Sequence, residues 1–177
     1  MKRVLCILEN GFEEIEAIAP VDLLRRAGVE VILAGVSGLD VIGKCEIRIR
    51  TDALLENAVL GDFDALFLPG GPAVKALREN PAITDLIRKF HSEEKLIAAI
   101  CAAPLLLKDA GFLDGRTFTS HFSTKDELPS STGAILENDG GFLTSRGAGT
   151  AIAFGLAFVE MLQGKVVADE VALAVMV

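Results

Sequence analysis

The chain has 177 residues, 51% of them hydrophobic, which suffices for one buried core and is too little for two domains of ordinary size, so residues 1–177 read as a single domain. Seventeen Lys and Arg against twenty-five Asp and Glu leave a formal charge of −8, which repels phosphate backbones and argues against nucleic-acid or anionic-membrane binding. The mean hydropathy of +0.45 is high, yet the longest apolar stretch, Leu96 to Leu107, is too short to cross a bilayer and holds Pro104.

Short apolar runs of strand length alternate with amphipathic runs of helical length, the pattern of parallel strands joined by crossover helices. Val4 to Leu8 reads as the first strand. Glu13 to Ala27 reads as a helix with an apolar face of Ile15, Ile18, Val21, Leu24 and Ala27, kinked at Pro20 and stopped by Gly28. Val29 to Val36 is a second strand, and Cys45 to Arg50 alternates as a further one, in a hairpin on the sheet edge. Phe63 to Leu68 runs into Pro69-Gly70-Gly71-Pro72, a turn that launches helical material through Asn80, and Pro81 to Ser92 is another helix. Leu96 to Ile100 is uninterrupted in its apolarity, as suits a mid-sheet parallel strand covered on both faces. After Cys101 an apolar helix runs to Ala110, and Thr117 to Ser120 reads as a strand ending at His121. Ala134 to Glu137 and Phe142 to Thr144 flank the hairpin signal Asn138-Asp139-Gly140-Gly141, and helices at Thr150 to Leu162 and Ala168 to Met176 close the chain. The expected fold is a flavodoxin-like three-layer α/β/α sandwich with a mostly parallel central sheet.

Met1-Lys2-Arg3 is basic, but the apolar run behind it stops at Leu8 before Glu9, too short for a secretory core, so a cytoplasmic location is expected. Three widely spaced cysteines, Cys6, Cys45 and Cys101, suit a reducing compartment better than a disulfide framework. Two histidines and no C-x-x-C pair are too few clustered ligands for zinc, so no metal is expected.

Sites in open parallel sheets gather at the carboxyl ends of strands, where this sequence places Glu16, Gly70 and Gly71, Cys101 and His121. Ala98-Ala99-Ile100-Cys101-Ala102-Ala103-Pro104 passes from strand to thiol to helix with no spacer, the form of a nucleophile elbow, whose tight turn admits only small neighbours. A thiol at a helix N-terminus has its thiolate stabilised by free N–H groups and its pKa lowered, while the plainer reading of Cys101 is a buried structural cysteine. Cys6 and Cys45, placed inside strands, take that plainer reading. Glu13 and Glu14 read as a solvated acidic first turn, and Glu16, on the boundary of the apolar face, points inward, where burial raises its pKa and fits it to donate a proton to sulfur. Consecutive glycines at Gly70 and Gly71 make a sharp turn or let backbone N–H groups face an anion. His91 reads as a structural residue on an exposed helix, and Gly147-Ala148-Gly149 is too slight a dinucleotide signal to use.

Four stretches together resemble the ThiJ/PfpI superfamily, and within it the DJ-one branch named for a parkinsonism-associated protein. They are Glu13-Glu14-Ile15-Glu16 with the run from Pro20 to Gly28, Leu68-Pro69-Gly70-Gly71, Ala98 to Pro104, and Leu143-Thr144-Ser145-Arg146-Gly147. The resemblance implies that Cys101 is the reactive cysteine, Glu16 the protonated carboxyl bonded to its sulfur and His121 the nearby histidine, with Gly70, Gly71 and Ala102 amides as oxyanion donors. It also implies a homodimer. The protease branch has histidine directly after the cysteine, where Ala102 stands, and glutamine amidotransferases carry glycine-flanked elbows and a late His-x-Glu pair, both missing here. Ala148 stands where the branch usually has proline.

What the resemblance implies is a cofactor-free, thiol-dependent enzyme acting on a small aldehyde or dicarbonyl such as methylglyoxal, as a glutathione-independent glyoxalase or a deglycase of protein and nucleotide amines, protective against carbonyl and oxidative stress. The alternative is a non-enzymatic redox sensor or chaperone whose Cys101 is oxidised to sulfinate.

Overall fold

The computed structural model describes residues 1–177. Nine strands and seven helices follow one another as β1 (Arg3–Leu8), α1 (Glu14–Arg26), β2 (Glu30–Gly35), β3 (Asp40–Ile42), β4 (Arg48–Arg50), β5 (Ala53–Leu54), α2 (Leu55–Ala58), β6 (Ala65–Leu68), α3 (Ala73–Arg78), α4 (Pro81–Ser92), β7 (Leu96–Ile100), α5 (Pro104–Asp109), β8 (Leu136–Asp139), β9 (Phe142–Ser145), α6 (Ala151–Gln163) and α7 (Lys165–Ala174). Seven strands form one sheet in the order β5-β2-β1-β6-β7-β9-β8, parallel throughout except for the β8–β9 pair. Because β2 lies on one side of β1 and β6 on the other, the connections leave β1 in opposite directions and open a crevice at its carboxyl end.

The period-two alternation of the strands divides the core into two layers. Val4, Cys6 and Leu8 of β1, Phe67 of β6 and Ala98 and Ile100 of β7 face α1, α6 and α7, while Leu5, Ile7, Leu66, Leu68, Ile97 and Ala99 face α2 to α5. On the first face Phe67 sits against Phe154 and Phe158, with ring centroids 5.6 and 5.9 Å away. The sandwich and its parallel sheet are those expected from the alternation of runs. The turn between β8 and β9 is Gly140-Gly141, both at positive φ, so Asp139 pairs with Phe142 and the hairpin signal is met.

Several local expectations are corrected. Thr117 to Ser120 is not a strand: the Thr119 N–H donates to Thr144 Oγ1 at 3.0 Å, its hydroxyl donates to the Ala134 carbonyl at 2.9 Å, and the Ser120 N–H donates to Ser131 Oγ at 2.8 Å. Hydroxyl side chains thus take the places a ladder would have filled. Of Cys45 to Arg50 only β4 is extended, and it pairs with β3 in a separate two-stranded ribbon rather than on the main sheet, leaving Cys45 exposed in the turn. Helix α1 runs as one element through Pro20 and buries a different face from the one its isoleucines suggest. Ile15 and Ile18 are 55% and 41% exposed, while Glu16, Ala17, Pro20, Val21, Leu23 and Leu24 face inward. The acidic first turn is likewise not solvated. Glu13 caps α1 by accepting the Glu16 N–H at 2.8 Å, and Glu14 reaches the ribbon loop, where its Oε1 accepts the Cys45 N–H at 2.8 Å.

Candidate active site

The loops after β1, β6 and β7 meet at the crevice, and each brings one component. The Glu13 N–H donates to the Gly70 carbonyl at 3.0 Å, which ties the start of α1 to the glycine turn after β6. That tie places Glu16 beneath the turn, 1% exposed, with its Oε2 accepting the Gly70 N–H at 3.1 Å. A Cβ on Gly70 would lie 2.5 Å from Glu16 Oε2 and 2.6 Å from the Cys101 Cβ, so only glycine fits between acid and thiol.

Cys101 occupies the step from β7 to α5 with φ of +66°, a left-handed conformation that costs a non-glycine residue on the order of 1 to 3 kcal/mol. Hydrogen bonds on both sides hold it there: its N–H donates to the Ser145 carbonyl at 2.8 Å, and its carbonyl accepts the His121 N–H at 2.8 Å. The small side chains of Ala102 and Ala103 and the proline that opens α5 are what such a step requires, so the elbow read from the sequence is present.

Burial raises the Glu16 carboxyl to about 7, against the pull of Cys101 and of the Gly70 N–H. Burial, and then the charge and hydrogen bonding of Glu16, push the Cys101 thiol up to about 12, while the Gly71 and Ala102 N–H groups pull it down. The lowered thiol pKa expected from a helix terminus is therefore not found, because burial and Glu16 outweigh the pull of the two N–H groups. Two of the three upward pushes need an ionised Glu16, so acid and thiol act as one unit that gives up its first proton near 7 and keeps its second. When the remaining proton rests on Glu16 the sulfur is a thiolate facing two N–H groups, and those donors are equally placed for an oxyanion formed on a carbon bonded to sulfur. The Gly70 N–H, expected as a third such donor, instead holds Glu16.

His121 lines the same cleft as Glu16, Cys101, Gly71 and Ala102, a space of about 450 Å³. Its Nδ1 lies 2.8 Å from Ser123 Oγ and accepts the Ser123 N–H at 3.3 Å, and burial with the charge of Lys44 lowers its pKa. A neutral ring with Nδ1 as acceptor carries its proton on Nε2. Lys44, Lys75, Arg78, Ser123 and Ala148 also line the cleft. The sequence carried no signal for Lys44, which lies in the turn of the β3–β4 ribbon and not at the carboxyl end of a main-sheet strand. Cys6 lies inside β1, its thiol pushed far up by burial, and His91 packs its ring on Phe112 and Phe142 at 4.2 and 5.4 Å.

A model of the DJ-1/PfpI family matches residues 2–161. The chain is 40% identical over 179 residues to the Parkinson disease protein 7 homolog of Danio rerio, covering 96% of this chain and 94% of that protein. It is 32% identical over 165 residues to Deglycase PfpI of Pyrococcus furiosus, covering 91% and 99%. Among solved structures, Drosophila melanogaster DJ-1beta superposes with a TM-score of 0.95 at 40% identity, over 99% of this chain and 98% of that one.

Proposed function

Since this chain belongs to the DJ-1/PfpI family, we propose that it is a cysteine-dependent, cofactor-free enzyme that acts on reactive dicarbonyls or on the adducts they form with amines. The observation that carries this reading is a thiol held at a strained step beside a carboxyl raised to about 7, facing the N–H groups of Gly71 and Ala102. A relative named as a deglycase supports it at the level of the reaction class.

In the proposed reaction the Cys101 sulfur adds to an aldehyde carbon and the carbonyl oxygen becomes a hydroxyl, giving a hemithioacetal. Glu16, as carboxylate, takes the proton from that carbon and returns it to the neighbouring carbonyl carbon, so the first carbon is oxidised to a thioester as the second is reduced to an alcohol. Water then cleaves the thioester, which frees the thiol and a 2-hydroxy acid. For methylglyoxal the sum is one water added and lactate formed. On an amine adduct the same sulfur displaces the amine from an aminocarbinol, and the later steps are shared. His121 positions or polarises the substrate through Nε2–H.

The test is turnover of methylglyoxal by purified protein without glutathione, in a buffer free of amines and added thiols. Wild type is expected to form lactate, Cys101→Ala to lose activity by at least about a hundredfold, and Cys6→Ser and Cys45→Ser to keep it. Full activity in Cys101→Ala overturns the reading.

A further inference from the structure

The mouth of the cleft carries information about substrate charge, and the inference drawn from it rests on the enzyme reading above. Three cations, Lys44, Lys75 and Arg78, line the cleft with two carboxylates, Glu13 and Glu16, in a chain whose overall charge is −8. Both carboxylates are withdrawn from the opening: Glu13 is 6% exposed and accepts the Glu16 N–H, and Glu16 is 1% exposed and bonded to Gly70. Arg78 is neutralised by bonds to Asp109 at 2.6 Å and Glu127 at 2.8 Å. Lys44 and Lys75 differ from it. Neither forms an ion pair, and neither ammonium hydrogen-bonds to the protein.

The two lysines come from separate elements of the cleft wall. Lys44 follows β3, in the loop whose Lys44 N–H donates to the Phe12 carbonyl at 2.9 Å, and Lys75 lies in α3, four residues beyond Gly71. The charge of Lys44 is felt at both Glu16 and His121, so its ammonium lies within electrostatic reach of the reacting groups. Two solvated ammonium groups without internal counter-ions, on flexible stems beside a thiol, form a frame that an anion completes and a neutral molecule leaves empty.

We propose that this site selects carbonyl substrates bearing a negatively charged group, carboxylate or phosphate, a few bonds from the reacting carbon, with Lys44 and Lys75 as the residues that determine that specificity. Methylglyoxal is then a minimal substrate that uses the thiol and not the lysines.

The first test does not depend on turnover. Iodoacetate and iodoacetamide alkylate sulfur by the same displacement of iodide and differ chiefly in charge. The ratio of their rates at Cys101, relative to that at a neutral model thiol, is expected to be raised about tenfold at low salt and to fall toward the model value in Lys44→Gln, in Lys75→Gln and in about 0.5 M salt. Acetate and inorganic phosphate as competitors of iodoacetate then show which anion is preferred. The second test compares kcat/KM for 4,5-dioxopentanoate and its methyl ester, whose reacting carbons are identical. Preference for the acid that declines in both variants supports the proposal. A model-like alkylation ratio, or one that neither substitution moves, overturns it even where both dicarbonyls are turned over. A raised, lysine-dependent ratio without turnover of either compound leaves the anion preference standing and overturns the enzyme reading instead.

Discussion

At the Glu16–Cys101 pair, protonation decides reactivity. Below about 7 both groups hold their protons, and above it the pair shares one, which burial favours on sulfur and the Gly71 and Ala102 N–H groups favour on Glu16. Alkylation of Cys101 by iodoacetamide is therefore expected to rise with pH through about 7, earlier than the roughly 8.5 of a free thiol. Glu16→Gln cannot accept a proton, so its thiol must ionise alone against burial, and the midpoint should move up by at least about one unit. A wild-type midpoint near 8.5 that the substitution leaves in place would count against the shared proton. The same carboxyl affects stability. Its folded-state value lies above its unfolded one, so its contribution is complete below about 4 and is lost as pH climbs through about 7, on the order of 3 kcal/mol in all. Thermal unfolding should accordingly show Glu16→Gln gaining on wild type between about pH 5 and pH 8. His121 bonds through Nδ1 to Ser123, not to Cys101, so His121→Ala should lower kcat/KM by about tenfold and Glu16→Ala by a hundredfold or more. An equal or larger loss at His121 would make it the general base.

Among the elements, α1 shows how packing overrides pattern. The isoleucines at 15 and 18 fall at helical spacing and look like a core stripe, yet the sheet takes the face carrying Ala17, Val21 and Leu24, and α6 packs closely on α1. Gly155 makes that approach possible, since a Cβ there would lie 2.9 Å from the Pro20 Cα. The β6 strand is fixed against α6 by Phe67, which is fully buried between Phe154 and Phe158. Phe67→Ala should lower the free energy of unfolding by about 3 to 5 kcal/mol in a urea titration, through lost burial and a cavity at mid-sheet. A cost under about 1 kcal/mol would mean that α6 collapses into the space.

For the whole molecule, the isoleucines that α1 leaves outside bear on assembly. The β3–β4 ribbon and its turn are hydrogen-bonded to the start of α1 through Glu14 and expose Ile42 and Ile47 at 39% and 57%, while α1 exposes Ile15 and Ile18. Apolar side chains gathered on two adjoining elements suit a two-fold contact in which the same patch meets itself. We propose a homodimer through this face. Sedimentation at micromolar concentration should give a dimer, and Ile15→Glu with Ile18→Glu a monomer; a monomeric wild type would contradict the proposal. No helix is long and apolar enough to cross a membrane.

Alternating apolar runs, the Gly140-Gly141 turn and the strand–cysteine–proline step are local signals, because backbone conformation at each follows from a few adjacent side chains, and from them the sheet, the hairpin and the elbow at Cys101 were legible. The Gly70-Gly71 pair was legible as a turn, but that the Gly70 N–H serves Glu16 while Gly71 faces the sulfur depends on how two distant loops dock. Thr117 to Ser120 carries strand-like residues, yet its N–H groups find hydroxyls from residues 131 and 144, a competition no local window contains. The burial of Glu13 and Glu14, the exposure of Cys45 and the arrival of Lys44 at the cleft were decided likewise by tertiary structure. Charge and solvation at a site are sums over neighbours far apart in the chain, so the sequence determined which groups are available and the fold determined the protonation each one holds.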